Sequence, residues 1–541
     1  MTDRNQNQDQ GGLGFKLFVA GLALVGLVAR VAPIFDQGGR LLRQFPSEDG
    51  YLMLTIARNI ALGRGMSTSD GTILTNGTQP LVTFLWAGLF WMTGGDKHRA
   101  MIVIEGASVV LATVAAWLLY RLGRRVLRGV AGGDRIAAVA AALWYASPLV
   151  VKYSMNCLET GPYTLMVLVS VLMYLRWSED PEARWPMGRC VAFGLLLGVL
   201  FWVRNDAVFF VFAVCVAHVA LGWLRGSGVL RRRVLEAYAF GATSVVVALP
   251  WLLYNLRVFG RVVPISGIKE SMRAEFGANV RYLATNLGEY VLMVFPVPES
   301  LEDKAAVVAV SALVILAALG AMAVMWGRAG AAARTAFLLV GVYGAALCGY
   351  YGLMFGMPSF VARYLMPLSP YLAVVTVTAV FTVAGWVRAR APAVGLVLAR
   401  ALPWVALIPV LALNGRMYYQ GTKHQHFQVV EWVQRHVPED VWVGAIQTGT
   451  LGFFHDRTLN LDGKVNPNAL RAQLDRRLPR YAVESDIQFI IDWARQSEWM
   501  GLAEIRENFD LIVEDKAANL AVLRRKGYAG PSPEPGSSAS R

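Results

Sequence analysis

The stretch GFKLFVAGLALVGLVARVAPIF, residues 14–35, carries only Lys16 and Arg30 as charges in an otherwise apolar run. A helix rises about 1.5 Å per residue, so about 20 such residues cover the hydrocarbon core of a bilayer. The run is longer than a signal-peptide core and has no clear small-residue cleavage site, so it reads as a first membrane span. Comparable runs recur outward from it at 99–122, 136–152, 160–176, 189–204, 206–224, 237–255, 305–327, 335–355, 366–387 and 398–414, which predicts eleven transmembrane helices. Hydrophobic residues are 55% of the chain and charged ones 16%, well short of the quarter or so usual in soluble proteins.

Net charge is +14, yet its placement argues against nucleic acid as a partner. Arginines concentrate in alternate short loops, among them Arg124, Arg125, Arg128, Arg232, Arg233, Arg388 and Arg390. Positive-inside bias accounts for that pattern. It sets the N-terminus inside and, after eleven crossings, the C-terminus outside, in a multi-pass protein of the inner (cytoplasmic) membrane.

Residues 1–13 are polar and expected to be a disordered tail, followed by a membrane catalytic domain over 14–415 with outer loops at 36–98 and 256–304. Within the first loop, Pro80–Thr93 is apolar but too short to cross, and is expected to lie in the interface with Trp86 and Trp91 at headgroup level. Residues 416–528 have the composition of a soluble domain. A helix over His426–Val437, strands at Val441–Ile446, Thr458–Leu461, Asp510–Glu514 and Leu520–Arg524, and a helix over Pro467–Tyr481 suggest an α/β module. The Pro/Ser/Gly-rich end, 529–541, is expected to be disordered.

Four cysteines form no CxxC pair, and His424, His426 and His455 are not at metal-ligand spacing, so no disulfide framework and no metal site is expected. A GxxxxGK[ST] loop is absent, which argues against nucleotide hydrolysis.

The chemically suggestive stretch is Ser47–Leu81, SEDGYLMLTIARNIALGRGMSTSDGTILTNGTQPL. Glu48 and Asp49 stand side by side just after the first span, before an amphipathic helix and a Gly/Asn/Thr/Gln-rich turn. The bland reading is a solvated loop; the functional one is an acid pair over a bilayer-facing cleft, where a carboxylate serves as a general base. Downstream, Glu159 ends a loop before a span, Arg204 and Asp206 lie in a short hairpin, and Arg363 precedes Tyr364. Ionisable groups at such depth are either paired or functional. A simple Arg204–Asp206 pair is the structural alternative for that hairpin, and a solvated helix end is the alternative for Glu159.

This pattern resembles the GT-C superfamily of polyprenyl-phosphate-sugar-dependent glycosyltransferases, which includes protein O-mannosyltransferases, lipid A aminoarabinose transferases and mycobacterial arabinofuranosyltransferases. Glu48-Asp49-Gly50-Tyr51, Ala57-Arg58-Asn59 and Asn76-Gly77-Thr78-Gln79-Pro80-Leu81 match the family's first outer loop in order. Many relatives have Asp first in the acid pair, where Glu48 stands here. Asn156-Cys157-Leu158-Glu159-Thr160, the segment from Pro250 to Lys269, Arg363-Tyr364 with Pro367, and Asn460-Leu461-Asp462-Gly463 resemble later family segments.

The resemblance implies transfer of a sugar from a polyprenyl phosphate to an extracytoplasmic glycan, lipid or protein hydroxyl. Glu48 or Asp49 is then the base and Glu159 assists. Arg363, Tyr364, Lys269, Arg204 and Arg58 are candidates for the donor phosphate, and Gln79 and Asn76 for the acceptor. Arginine suits phosphate because its planar fork donates two hydrogen bonds at once. A monophosphate donor requires no metal and no cofactor is required, although relatives with diphosphate donors often use a divalent metal, which nothing in this sequence indicates. The acid pair is expected to share one outer pocket with Arg363. Two rivals are a transporter or lipid flippase, for which no paired broken helices or inverted repeat is seen, and a non-catalytic envelope scaffold, which should tolerate loss of both Glu48 and Asp49.

Overall fold

In the computed structural model, residues 2–36, 39–180, 184–272, 274–327, 329–420, 426–528 and 530 are described, without the side chains of 2–11, 299 and 325. The C-terminal tail, the side chains at the N-terminus and His424 therefore lie outside the described residues, together with the expectations that concern them. The chain forms two compact units, each made of three segments. A helical unit comprises Met1–Phe45, Glu105–Trp251 and Ser271–Gly421; a mixed unit comprises Pro46–Ile104, Leu252–Glu270 and Thr422–Arg541. The polar C-terminal region thus shares its unit with most of the first outer loop.

Each of the eleven predicted spans of this multi-pass membrane protein falls on helix. Among the described residues, eight helices are long and apolar enough to cross a membrane alone, and Gly133–Ala146 with Pro148–Ser154, bent by 61°, would make a ninth. The bend follows from sequence: Pro148 supplies no amide hydrogen and forces Ser147 out of helical geometry, to φ −57°, ψ 125°. Met187–Val203 is apolar but has only 17 residues. Exposed side chains such as Leu313, Leu316, Val397 and Trp404 are what a lipid-facing surface requires. Arg30, the one arginine of the first span, is fully buried. Its guanidinium donates to the carbonyls of Gly26 and Tyr145 at 2.8 and 2.7 Å and to Ser154 Oγ at 3.1–3.2 Å, so its donors are met inside protein.

In the mixed unit, a short antiparallel pair, β1 (Ser67–Thr68) and β2 (Ile73–Leu74), closes the first loop. The main sheet holds β3 (Val443–Ala445), β4 (Thr458–Asn460), β5 (Phe489–Asp492), β6 (Phe509–Asp515) and β7 (Leu520–Arg525) in the order β4-β3-β5-β7-β6. β3 pairs in parallel with β4 and β5, whereas β7 runs antiparallel to β5 and β6. The central strand β5 is missed by the sequence reading. Its four residues, FIID, are all buried and show no alternation. Strands covered on both faces lose the period-two signal. The helix expected over Pro467–Tyr481 is two helices, Pro467–Leu474 and Leu478–Glu484, separated where Arg476 takes φ +56°.

The helix Pro80–Met92 forms as expected, with Trp91 exposed. Trp86 corrects the expectation for an interfacial ring: it is buried, as are Val82 and Phe90 on the same helix. Tyr51 packs against Phe427, Phe453 and Phe454, seating the helix Glu48–Ala61 on the short helix Gly449–Phe454. Burial of each such ring contributes about 1.5–3 kcal/mol.

Candidate active site

Ser47 caps the helix Glu48–Ala61, its hydroxyl accepting from the Gly50 amide at 3.0 Å. Glu48 and Asp49 therefore occupy the first turn, where the helix dipole favours negative charge. Successive helical residues point about 100° apart, and the two carboxylates meet different partners.

Glu48 turns to the start of the helix Gly449–Phe454. Its carboxylate accepts from the amides of Gly449 and Thr450 and from Thr450 Oγ1, the last two at 3.0 and 2.6 Å, with His426 Nδ1 at 3.5 Å. A Cβ on residue 449 would run into the Glu48 carbonyl, so this approach requires glycine.

Asp49 Oδ1 receives the ammonium of Lys464 at 3.0 Å, and the same Nζ lies 2.8 Å from Glu270 Oε1. Beside them Lys269 contacts Asp462 at 3.2 Å and Gln473 Oε1 at 2.6 Å. All five charged side chains of this cluster are at least about four-fifths buried. The turn after β4 that carries Lys464 is braced on three sides. Gly463, at φ +83°, donates to Asn460 Oδ1 at 2.8 Å, Gln473 Nε2 donates to the carbonyls of Leu461 and Asp462 at 2.8 Å, and Asn466 Nδ2 donates to the Asn460 carbonyl at 2.8 Å. Burial disfavours the charged form of Lys464, but Asp49, then Glu270 and Asp462, outweigh it and hold the ammonium well above its ordinary range.

In the helical unit a second polar cluster forms around Arg204, which is 1% exposed. Arg204 Nη2 lies 2.7 Å from Asp206 and its Nε 3.8 Å from Glu159. The guanidinium stands over Tyr364 at 4.4 Å and Tyr163 at 5.1 Å, and Tyr351 donates to Asp206 at 2.6 Å while stacking on Tyr364 at 4.1 Å. Arg363 donates to the Tyr364 hydroxyl at 3.2 Å and stands over Phe360 at 4.8 Å.

This distribution sorts the expected site residues. Glu159 is buried and ion-paired, which rules out the solvated helix end. Cys157, at φ +61°, shapes the turn before it. Arg204 makes the pair with Asp206 that was its structural alternative. Arg58 is held by Asp456 at 3.2 Å and the Gly95 carbonyl at 3.0 Å, and Lys269 by Asp462, so both carry neighbours that offset their charge. Asn76 is fully buried and braces the fold, donating to Asn255 at 3.1 Å and accepting from the Ile265 amide at 3.1 Å. That corrects its assignment to the acceptor. Gln79 directly precedes the helix Pro80–Met92 and is part-exposed. Glu270 and Lys464 were missed. Both look like ordinary loop charges in sequence, and only their meeting with Asp49 singles them out.

Residues 78–254 match the family described as dolichyl-phosphate-mannose-protein mannosyltransferase, and residues 416–529 match a domain of unknown function, DUF8728. The structure of ArnT from Cupriavidus metallidurans bound to undecaprenyl phosphate superposes with a TM-score of 0.57 at 14% identity, covering 95% of this chain and 99% of that one. This chain has the GT-C membrane fold. The Archaeoglobus fulgidus oligosaccharyltransferase in complex with Zn and sulfate shares this fold at TM-score 0.55 and 14% identity, over 90% of this chain and 69% of that one. In sequence, this chain is 24% identical over 271 residues to the terminal beta-(1->2)-arabinofuranosyltransferase of Mycobacterium tuberculosis, covering 49% of this chain and 41% of that relative's length.

A cavity of about 1140 Å³ in the helical unit is lined by Trp117, Arg121, Arg125, Arg128, Arg176 and Trp177 among others. It lies at the end of the helix Thr160–Trp177 remote from Glu159, about 25 Å along the axis at 1.5 Å per residue. Its arginines belong to the loops that positive-inside bias accounts for, so its size does not mark the chemistry.

Proposed function

We propose that this GT-C transferase moves a single sugar from a polyprenyl-phosphate donor to a hydroxyl of an extracytoplasmic glycan, lipid or protein, with Asp49 as the base. The chain would sit in the inner membrane with its N-terminus cytoplasmic. The acceptor oxygen attacks the anomeric carbon as the bond from that carbon to the phosphate oxygen breaks. Polyprenyl phosphate leaves with the electron pair, and the acceptor proton passes to Asp49. The observation that carries this reading is the different bonding of the adjacent acids. Glu48 spends both oxygens on two amides and a hydroxyl, which commits it to the fold. Asp49 meets the Lys464 ammonium through Oδ1, an ion pair that aims the carboxylate for proton transfer. Glu159, tied to Arg204, acts as a positioning residue within the helical unit.

Arg363 with Tyr364 is the proposed contact for the donor phosphate. An arginine's planar fork suits a phosphate, and charge developing on the leaving phosphate needs donors already in place. ArnT was determined with undecaprenyl phosphate bound, which supports a lipid monophosphate as donor. The decisive experiment incubates the full-length protein in nanodiscs with a panel of polyprenyl-phosphate sugars and candidate acceptors, with mass spectrometry of the products. Transfer that disappears in D49N supports the reading; lipid movement across the bilayer without transfer overturns it.

A further inference from the structure

The acid cluster of the mixed unit contains three carboxylates, Asp49, Glu270 and Asp462, against two ammonium groups. Two carboxylates converging on one point repel unless a cation lies between them. A divalent ion held by two carboxylates and water is one way to balance such a pair, and the archaeal oligosaccharyltransferase was determined with Zn. The residues here do not fit that arrangement. The point on which Asp49 and Glu270 converge is occupied by Lys464 Nζ, at 3.0 and 2.8 Å. Among the described residues, no group of three or more His, Cys, Asp or Glu side chains is placed to hold a metal ion.

We propose that Lys464 is the built-in cation of this site, its ammonium standing between Asp49 and Glu270 where a divalent ion would otherwise balance them. The lysine acts through Asp49 as a positioning residue: it keeps that carboxylate ionised, aims one oxygen, and prevents Asp49 and Glu270 from sharing a proton. The C-terminal domain, whose role no family description assigns, thereby completes the site. Its contribution is built to be rigid. The turn bearing Lys464 is braced by Asn460, Asn466 and Gln473, and a Cβ on residue 77 would strike the Lys464 carbonyl, so the first outer loop also fits closely around that backbone. The ammonium remains charged throughout the neutral range, since Asp49, Glu270 and Asp462 more than offset its burial.

The inference rests on Asp49 being the base, so its test has one arm that does not depend on catalysis. Full-length protein in nanodiscs, stripped with EDTA, is titrated with Mn²⁺ and followed by electron paramagnetic resonance, as wild type, K464M, K464M/D49N and D49N. Wild type should show no Mn²⁺ site that depends on Asp49. K464M should gain one, and the further D49N change should abolish it. In the transfer assay, wild type should be indifferent to EDTA, and K464M should lose about 100-fold in kcat, the scale of an impaired general base. The acid limb of its pH profile should move upward, because the two carboxylates then share a proton, and Mn²⁺ should restore part of the rate. Lys464 is refuted by Asp49-dependent Mn²⁺ binding in wild type, by failure of folded K464M to gain such a site, or by full activity in K464M. If K464M does not fold, comparison of wild type with D49N for Mn²⁺ binding decides. Wild type inert toward every donor, with the Mn²⁺ results as expected, would defeat the proposed reaction and leave the role of Lys464 as the site's cation standing.

Discussion

Lys464 Nζ lies 3.0 Å from Asp49 Oδ1 although 415 positions separate them in the chain. The contact brings the turn after β4 onto the first turn of the helix Glu48–Ala61, and it distinguishes two acids that sequence leaves equivalent.

Exchange of the two acids should therefore have unlike effects. D49N is expected to lower kcat by about 10²–10⁴, while Lys464 keeps Glu270 as a carboxylate partner. E48Q should instead destabilise the mixed unit by about 1–3 kcal/mol, because the amides of Gly449 and Thr450 lose a charged acceptor. Transfer rates and thermal unfolding of the two variants, measured side by side, check this. Equal loss of activity with equal stability would return the base to either residue.

Gly449→Ala should be disruptive despite adding one methyl group. The new Cβ would meet the Glu48 carbonyl, a backbone atom that cannot swing aside. Strain of this kind costs about 1–3 kcal/mol. A lower melting temperature and reduced transfer are expected together, whereas Gly415→Ala, which meets nothing within 4 Å, should leave both unchanged.

Arg204→Ala leaves Asp206 and Glu159 buried without their cation, which costs about 3–5 kcal/mol when one partner of a buried pair is removed. Arg363→Ala should behave differently. Its loss is expected to raise KM for the lipid donor about tenfold while the melting temperature holds. Unfolding curves separate a structural arginine from a ligand-binding one.

Glu289 predicts a pH dependence of stability. Burial, opposed by the Val297 amide and by Lys152 and assisted by Glu302, pushes its carboxyl up from 4.5 to about 8. A carboxyl with a raised folded value is more protonated in the native state than in the unfolded one between those two values. Its stabilising contribution is thus full below 4.5 and lost as pH rises towards 8. Melting temperature should fall over that window, and E289Q, which keeps the neutral form, should flatten the slope.

Much of the architecture was legible from the chain alone. Lipid demands long apolar helices with satisfied backbone groups, so the run at 14–35 and its ten successors stand out whatever their tertiary neighbours. The edge strand β6 was found too, with Asp510, Glu514 and Asp515 exposed along it. β5 escaped because burial on both faces removes alternation and leaves four residues too few to judge.

By itself the sequence determined a multi-span membrane protein, an acid pair after its first span and an α/β module, because hydrophobic length, charge bias and local periodicity are properties of neighbouring residues. Tertiary structure alone decided which acid is bound by amides and which by an ammonium, that Asn76 braces rather than binds, and that Glu159 answers Arg204. These depend on side chains brought together across hundreds of residues, and distance in space leaves no mark on local composition.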